Sequence, residues 1–112
     1  MDDNIVKMMF ERLGRNEEDK LNQLEQFSNI DIVRRNAKRL NLNKVYPSTR
    51  KDKKYMIRDP QSNKFIHFGF LPYFDYTKHL DMLRRDNFKK RNKKWKDAEI
   101  YTPAFLSYYL LW

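Results

Sequence analysis

The chain has 112 residues, of which 40% are hydrophobic and 35% charged, with no cysteine and a formal net charge of +9. This length is enough for one small domain with an extension, and the missing thiols exclude disulfides and thiolate metal sites. The positive charge favours a polyanionic partner, which could be nucleic acid, an acidic protein surface or anionic lipid.

Residues 1–44 are predicted to form three helices joined by short breaks. The first begins at residues 2–4 and ends near Gly14, Asn16 suits the N-cap of the second, and the third begins near Asn29. Each helix has a narrow apolar stripe, so the three cannot form an independent globule. We expect a helical N-terminal arm that packs on the rest of the chain or on another protein.

Residues 45–52 are predicted to be a linker, because Pro47 is followed by polar and charged residues. This places the domain boundary there and leaves residues 53–112 as a basic domain. The charge supports the division: residues 1–44 carry nine Lys/Arg against eight Asp/Glu, whereas residues 45–112 carry fifteen against seven.

A β-hairpin is predicted next, with strands at 54–58 and 64–70 and a polar turn containing Pro60. The alternation places Ile66, Phe68 and Phe70 on one face of the second strand, which should be the core face. Two C-terminal helices complete the domain. The predicted fold class is therefore α+β, with a small hairpin packed on two helices.

The first of these helices is predicted at 78–96, after a cap at Asp75 or Thr77. Its inner face should hold four apolar residues, which are Leu80, Leu83, Phe88 and Trp95. The final helix starts at Thr102 and Pro103, a cap followed by proline at the first helical position.

Basic residues on the long helix and before the hairpin form a candidate polyanion-binding surface. Cations beside an indole can neutralise phosphates while the ring stacks on a base; the alternative is a solvated helix face. The predicted residues are Lys51, Lys53, Lys54, Arg84, Arg85, Lys89, Lys90, Arg91, Lys93, Lys94 and Trp95.

The final helix is apolar on two faces, which is typical of a core helix but also of one that docks into a neighbouring protein. The candidate docking residues are Phe105, Tyr108, Tyr109 and Trp112. Both roles are compatible, because one face can pack inward while the other meets a partner.

No catalytic residue, metal site or cofactor is predicted. His67 and His79 could act as ligands or bases, but neither has the spacing of a metalloprotease motif. Two glycines are too few for a phosphate-cradling loop or an oxyanion hole. Structural roles are expected for both histidines, and the chain is expected not to be an enzyme.

The segments HFGF at 67–70, DYTKHLDMLRR at 75–85 and YTPAFLSYYLLW at 101–112 resemble a family of small basic uncharacterised proteins of nucleocytoplasmic large DNA viruses and phages. The resemblance covers about 53–112 and leaves residues 1–50 outside. The motif residues are His67, Gly69, Asp75, Tyr76, Thr77, His79 and Asp81. The resemblance implies that they form a folding signature, with Asp75 capping the helix that carries the arginines and His79 closing onto the HFG strand.

The resemblance also implies a viral origin. The leading hypothesis is a non-enzymatic virion structural protein, a minor capsid or capsid-associated component that bridges larger proteins. The alternative is a nucleic-acid-binding protein that packages the genome without sequence specificity. Expected partners are other virion proteins, including capsid proteins, and DNA or RNA under the alternative, with no membrane span. The expected location is the virion, assembled in the host cytoplasm or nucleus.

Overall fold

The computed structural model describes residues 2–112 and confirms the α+β class, with a three-stranded antiparallel sheet and six α-helices in this part of the chain. The strands are β1 Val45–Pro47, β2 Lys53–Arg58 and β3 Phe65–Phe70, in the order β1-β2-β3. The helices are α1 Asp2–Arg12, α2 Glu17–Leu24, α3 Ile30–Arg39, α4 Tyr76–His79, α5 Met82–Arg91 and α6 Pro103–Leu106. A 3₁₀ segment, Lys93–Asp97, follows α5, and a π-helical segment, Ser107–Leu111, continues α6.

Side-chain caps begin most of these helices at the predicted positions. Asn16 accepts hydrogen bonds from the backbone of α2, and Asn29 does the same for α3. Thr102 accepts from Phe105 N, with Pro103 in the first turn of α6. Each cap satisfies backbone N–H groups that have no partner inside the helix.

The central strand β2 sets the register of the sheet and contributes to both of its faces. Tyr55 pairs with Phe68 and Ile57 with Ile66 across the hairpin. Tyr55, Ile57 and Phe68 are fully buried in the main core. The helical side chains in this core are Leu24, Val33, Ala37, Leu106, Leu110 and Leu111.

A second, smaller core lies on the opposite side of β2. Val6 and Phe10 of α1 pack there against Tyr46 and Met56. Met56 alternates with Tyr55 and Ile57 along the strand, so its side chain points away from the main core. The N-terminal helices therefore cover the sheet from both sides.

The predicted division into arm, linker and domain differs from this arrangement. Val45–Pro47, inside the predicted linker, form β1 and pair with β2. Leu24 and Val33, from the predicted arm, lie in the same core as Phe68. Residues 1–44 were expected to lack a core of their own, and in the structure they complete the core of the sheet.

The predicted single helix at 78–96 is wrong, because the chain breaks at Leu80 and changes to a 3₁₀ segment after Arg91. Leu80 adopts a left-handed conformation with φ 54°, and Asp81 caps a new helix, α5. Leu80 and Leu83 are 58% and 69% exposed, so they do not form the predicted inner face. Phe70, predicted to be core, is 55% exposed at the end of β3.

Gly69 allows the C-terminal segment to approach the hairpin closely. Its φ is +79°, and a Cβ built there would lie 2.9 Å from Leu111 Cδ1 and 3.1 Å from Lys54 Cδ. A residue with a side chain is strained in this conformation, and here it also meets packed neighbours. Gly14 has a similar φ of +66° but nothing within 4 Å of its Cβ position.

We expect Gly69→Ala to destabilise the protein more than Gly14→Ala. Both substitutions carry the left-handed backbone cost of about 1 kcal/mol, but only Gly69→Ala adds overpacking of about 1–3 kcal/mol. Urea-induced unfolding of the two variants measures the difference. Equal losses of unfolding free energy would show that the C-terminal segment does not pack on Gly69 as described.

Candidate functional site

A cleft of about 670 Å³ opens between the hairpin end, α5 and the C-terminal helical segment. Lys53 and Phe70 line it from the strands, and Tyr73 and Phe74 from the loop that follows β3. Arg84 and other residues of α5 form a further wall. We call this the basic–aromatic cleft.

Three of the aromatic rings in the cleft are exposed to solvent. Phe70, Tyr73 and Phe74 are 55%, 69% and 47% exposed. Phe74 also packs on Phe27, with ring centroids 5.2 Å apart, which anchors the loop to the α2–α3 junction. Sequence reasoning missed these residues as site candidates because it assigned dense aromatics to the core or to a protein interface.

The basic helix contributes to the cleft through one stripe. Arg84, Phe88, Arg91 and Trp95 recur at the spacing of a helix face and all line the cleft. Phe88 stacks on Trp112, with centroids 4.3 Å apart and planes 7° from parallel. The stacked rings of Phe88 and Trp112 hold α5 against the C-terminal segment, while Arg84 and Arg91 remain exposed.

The cleft is electrostatically one-sided. Lys53, Arg84 and Arg91 supply positive charge, and within residues 2–112 no Asp or Glu lines the cleft. The ammonium of Lys53 lies 3.8 Å from the centroid of the Phe70 ring, a cation–π contact that holds charge and ring together.

The other predicted polyanion-binding residues are distributed elsewhere. Arg85 and Lys89 line a separate cavity between α5 and α3, and Arg85 Nε donates to the backbone O of Trp112 at 2.6 Å. Lys89 lies over the Tyr108 ring, and burial lowers its pKa. The fully exposed members are Lys51, Lys90, Lys93 and Lys94.

Lys54 lines the cleft, but its ammonium is not available to a ligand there. Its side chain is 3% exposed, and its ammonium lies 3.0 Å from Oδ2 of Asp75, which is 1% exposed. Burial lowers the pKa of Lys54, and the nearby Asp75 carboxylate opposes that shift. The charge of Lys54 is thus neutralised inside the fold.

Asp75 also joins the hairpin to the α2–α3 junction. Its Oδ1 accepts the backbone N–H of Thr77 at 3.0 Å and the hydroxyl of Thr77. The same Thr77 oxygen accepts the backbone N–H of Asn29 at 2.9 Å and lies 3.1 Å from Ser28 Oγ. Asp75 N donates to Phe27 O at 3.2 Å. The predicted capping role of Asp75 is present, on the short helix α4.

The two histidines occupy different environments. His67 Nδ1 lies 2.7 Å from Ser48 Oγ, and burial together with Arg50 and Lys20 lowers its pKa to about 4. His79 packs between the rings of Tyr76 and Trp112 and accepts the backbone N–H of Asp81 at 2.9 Å. These contacts join α4 to Trp112; the expected closure of His79 onto the HFG strand stays a prediction.

The predicted docking residues are largely used within the chain. Tyr108 is 8% exposed, and Phe105 and Trp112 pack against the main core. Tyr109 donates a hydrogen bond to Lys96 O at 2.9 Å. The inward face of this helix is therefore core, and its outer residues stabilise the 3₁₀ segment beside the cleft.

Two further findings concern the described residues. No cluster of three or more His, Asp or Glu side chains in residues 2–112 could hold a metal ion. Within the same range, every helix is too short or too polar to cross a lipid bilayer.

Residues 43–96 match a family of unknown function (DUF5754). The match covers a little under half of the chain, including the sheet, α4 and α5, and leaves out α1–α3 and α6. No curated protein and no solved structure matches the chain. The chain is thus similar to this family through the hairpin and the basic helix, which carry most of the cleft.

We expect Lys54→Met to cost about 3–5 kcal/mol of unfolding free energy, because it leaves the Asp75 carboxylate buried without its partner. The double variant Lys54→Met/Asp75→Asn, which removes both charges, should recover at least half of that loss. Lys44→Met is the matched control, since Lys44 pairs with Asp3 at the exposed surface and should cost less than about 1 kcal/mol. Chemical denaturation checks all three, and a Lys54→Met loss no larger than that of the control would contradict the buried pair.

Proposed function

We propose that the chain is a non-enzymatic protein that binds nucleic acid without sequence specificity, with an unpaired strand held in the basic–aromatic cleft. The observation that supports it is the combination of Lys53, Arg84 and Arg91 with exposed rings in one cleft without acidic lining in residues 2–112. Proteins that bind single strands combine a cationic groove with aromatic side chains on which bases stack.

In this proposal, different parts of the nucleic-acid strand contact different walls of the cleft. Arg84 and Arg91, exposed on α5, are available to phosphates. Phe70 and Tyr73, on the opposite wall, are 55% and 69% exposed and are available for stacking on bases. Stacking needs an unpaired base, because the faces of bases within a duplex are already covered by their neighbours. The proposal therefore favours single-stranded over double-stranded nucleic acid.

The same residues explain why no sequence specificity is proposed. Aromatic faces accept any base, and arginine contacts to phosphate carry no sequence information. The broken helix also argues against groove reading, because α5 covers ten residues and one of its faces packs on Trp112.

We expect the triple variant Lys53→Gln/Arg84→Gln/Arg91→Gln to bind a random single-stranded oligonucleotide more weakly and with a flatter salt dependence. Each lost phosphate contact should change the slope of log K against log salt by about 0.7, or about 2 in total. The matched control removes three exposed charges away from the cleft, Lys7→Gln/Arg35→Gln/Lys38→Gln. Fluorescence anisotropy at several salt concentrations measures both.

Two outcomes would contradict this function. Equal losses in the two triple variants would show that net charge, and not the cleft, drives binding.

Tyr73→Ala removes an exposed ring, and this loss should not unfold the protein. We expect it to lower affinity by about 1–3 kcal/mol for a single strand and little for a duplex. Unchanged single-strand affinity in Tyr73→Ala would remove the stacking role.

A second candidate function is a structural component of a virion that bridges larger proteins. It is supported by the resemblance of residues 53–112 and by an exposed apolar corner at Leu80, Met82 and Leu83, which are 58%, 55% and 69% exposed. Apolar residues exposed together are typical of a protein contact. The packed N-terminal helices no longer support the idea of an arm that orders on its neighbour.

For the structural role, we expect the chain in purified virions at a fixed ratio to the major capsid protein, measured by quantitative mass spectrometry. After the particles are opened and treated with nuclease, a structural component stays with the shell. Release together with the digested genome would contradict the structural role and support the nucleic-acid function.

A further inference from the structure

A second cavity, on another part of the surface, holds an unusual concentration of cations. It has a volume of about 600 Å³ and lies between the α1–α2 connection and the loop that joins β1 to β2. Its charged lining is Arg15, Lys20, Arg50, Lys51 and Asp19, and its polar lining includes Asn16, Gln23, Ser48 and Thr49.

Lys20 is the most informative residue of this cavity, because it is a buried residue whose ammonium is partly desolvated and has no carboxylate partner. The residue is 9% exposed. Within the described part of the chain, its ammonium donates to one acceptor, Arg50 O at 2.6 Å, and forms no ion pair within 4.0 Å. A buried charge is costly unless it is paired, and two of the three ammonium donors lack a protein acceptor.

The neighbouring cations add to the excess of positive charge around Lys20. Burial and the charge of Arg15 lower the pKa of Lys20 to about 8, while Asp52 opposes the shift. Burial lowers the pKa of His67, and the nearby charges of Arg50, Lys20 and Lys53 lower it further. The positive charges are therefore close enough to repel one another, and Asp19 and Asp52 do not balance them.

The loop is held in a shape that keeps this cavity open. Arg15 Nη1 donates to Thr49 O, and Arg50 N donates to Ser48 Oγ at 3.0 Å. Ser48 Oγ is in turn 2.7 Å from His67 Nδ1. The backbone oxygens of the loop thus organise Arg15 and Lys20, and no aromatic side chain other than Phe10 lines the cavity in residues 2–112.

We propose that Arg15, Lys20 and Arg50 form a binding site for a phosphate group. A tetrahedral oxyanion offers several acceptors to converging ammonium and guanidinium donors, and charge-assisted bonds of this kind are the strong ones. It would supply the buried Lys20 with the counter-charge that the chain itself lacks. Among residues 2–112, Phe10 is the only aromatic residue that lines this cavity and it is 2% exposed, so the cavity lacks the exposed rings on which bases would stack in the basic–aromatic cleft.

The phosphate group could come from free phosphate or from a nucleic-acid backbone, and the chemistry of the site is the same for both. The site lies partly outside the segment similar to the family, because Arg15 and Lys20 precede residue 43. The inference does not rest on the proposed nucleic-acid function, since free phosphate alone would satisfy Lys20.

Thermal unfolding in increasing inorganic phosphate, at pH 7 and at ionic strength held constant with sodium chloride, tests the site. At pH 7 most of Lys20 is protonated. A ligand that binds the folded state raises the melting temperature with its concentration, by about 5 °C at ten times the Kd for a domain of this size. Lys20→Met keeps the aliphatic packing and removes the charge, so this rise should disappear.

Lys7→Met, on the exposed surface of α1, is the matched control and should respond to phosphate as the parent does. If Lys20→Met does not fold, Arg50→Gln replaces it, because the Arg50 side chain is exposed and its removal should leave the core intact. Phosphate that stabilises the parent no more than chloride does would overturn the proposal. Phosphate that stabilises Lys20→Met, or Arg50→Gln in its place, as much as the parent would also overturn it.

Competition distinguishes the two sources of phosphate. If inorganic phosphate displaces a single-stranded oligonucleotide and Lys20→Met weakens oligonucleotide binding, the site takes a backbone phosphate. If oligonucleotide binding is unchanged while phosphate still stabilises the parent and not the variant, the site takes free phosphate. Both results support the site, and neither depends on the outcome for the cleft variants.

Discussion

The buried pair between Lys54 and Asp75 is the interaction on which the rest of the structure depends. It joins the central strand to the loop before α4, and Thr77 extends the contact to Ser28 at the α2–α3 junction. Replacing such a pair by apolar residues is often neutral or stabilising, so its net energy does not explain it. Its consequence is for the positions of the segments. Because the Asp75 carboxylate bonds both to the Lys54 ammonium and to the N-terminus of α4, it fixes how β2, the loop before α4 and the α2–α3 junction lie relative to one another.

The position of this pair also determines the cleft. Asp75 ends the loop that carries Tyr73 and Phe74, and Gly69, beside Lys54, lets the C-terminal segment approach the hairpin. The loop and that segment are two walls of the same cavity. The loop that carries the exposed rings is therefore anchored by the buried polar network at Asp75, together with the contact of Phe74 with Phe27.

Local features of the fold could be predicted from sequence, whereas features that depend on distant residues could not. The caps at Asn16 and Asn29 and the hairpin turn follow from a few neighbouring residues. Strand β1 is three residues long and ends in Pro47, which by itself is typical of a linker; it is a strand because it pairs at the edge of β2, where proline is tolerated. The break at Leu80 had a local signal in Asp81, a capping residue that was not used.

The candidate site shows the same limit in chemical terms. Composition indicated many cations but not their neighbours, and the neighbours decide what a cation can do. Lys54 is neutralised by Asp75, Lys53 lies on an aromatic ring, and Lys20 is buried against a carbonyl. A net charge of +9 would attract any polyanion at long range. In the two proposals, discrimination between bases and phosphates would arise at contact, from exposed rings in one cavity and from converging cations in the other.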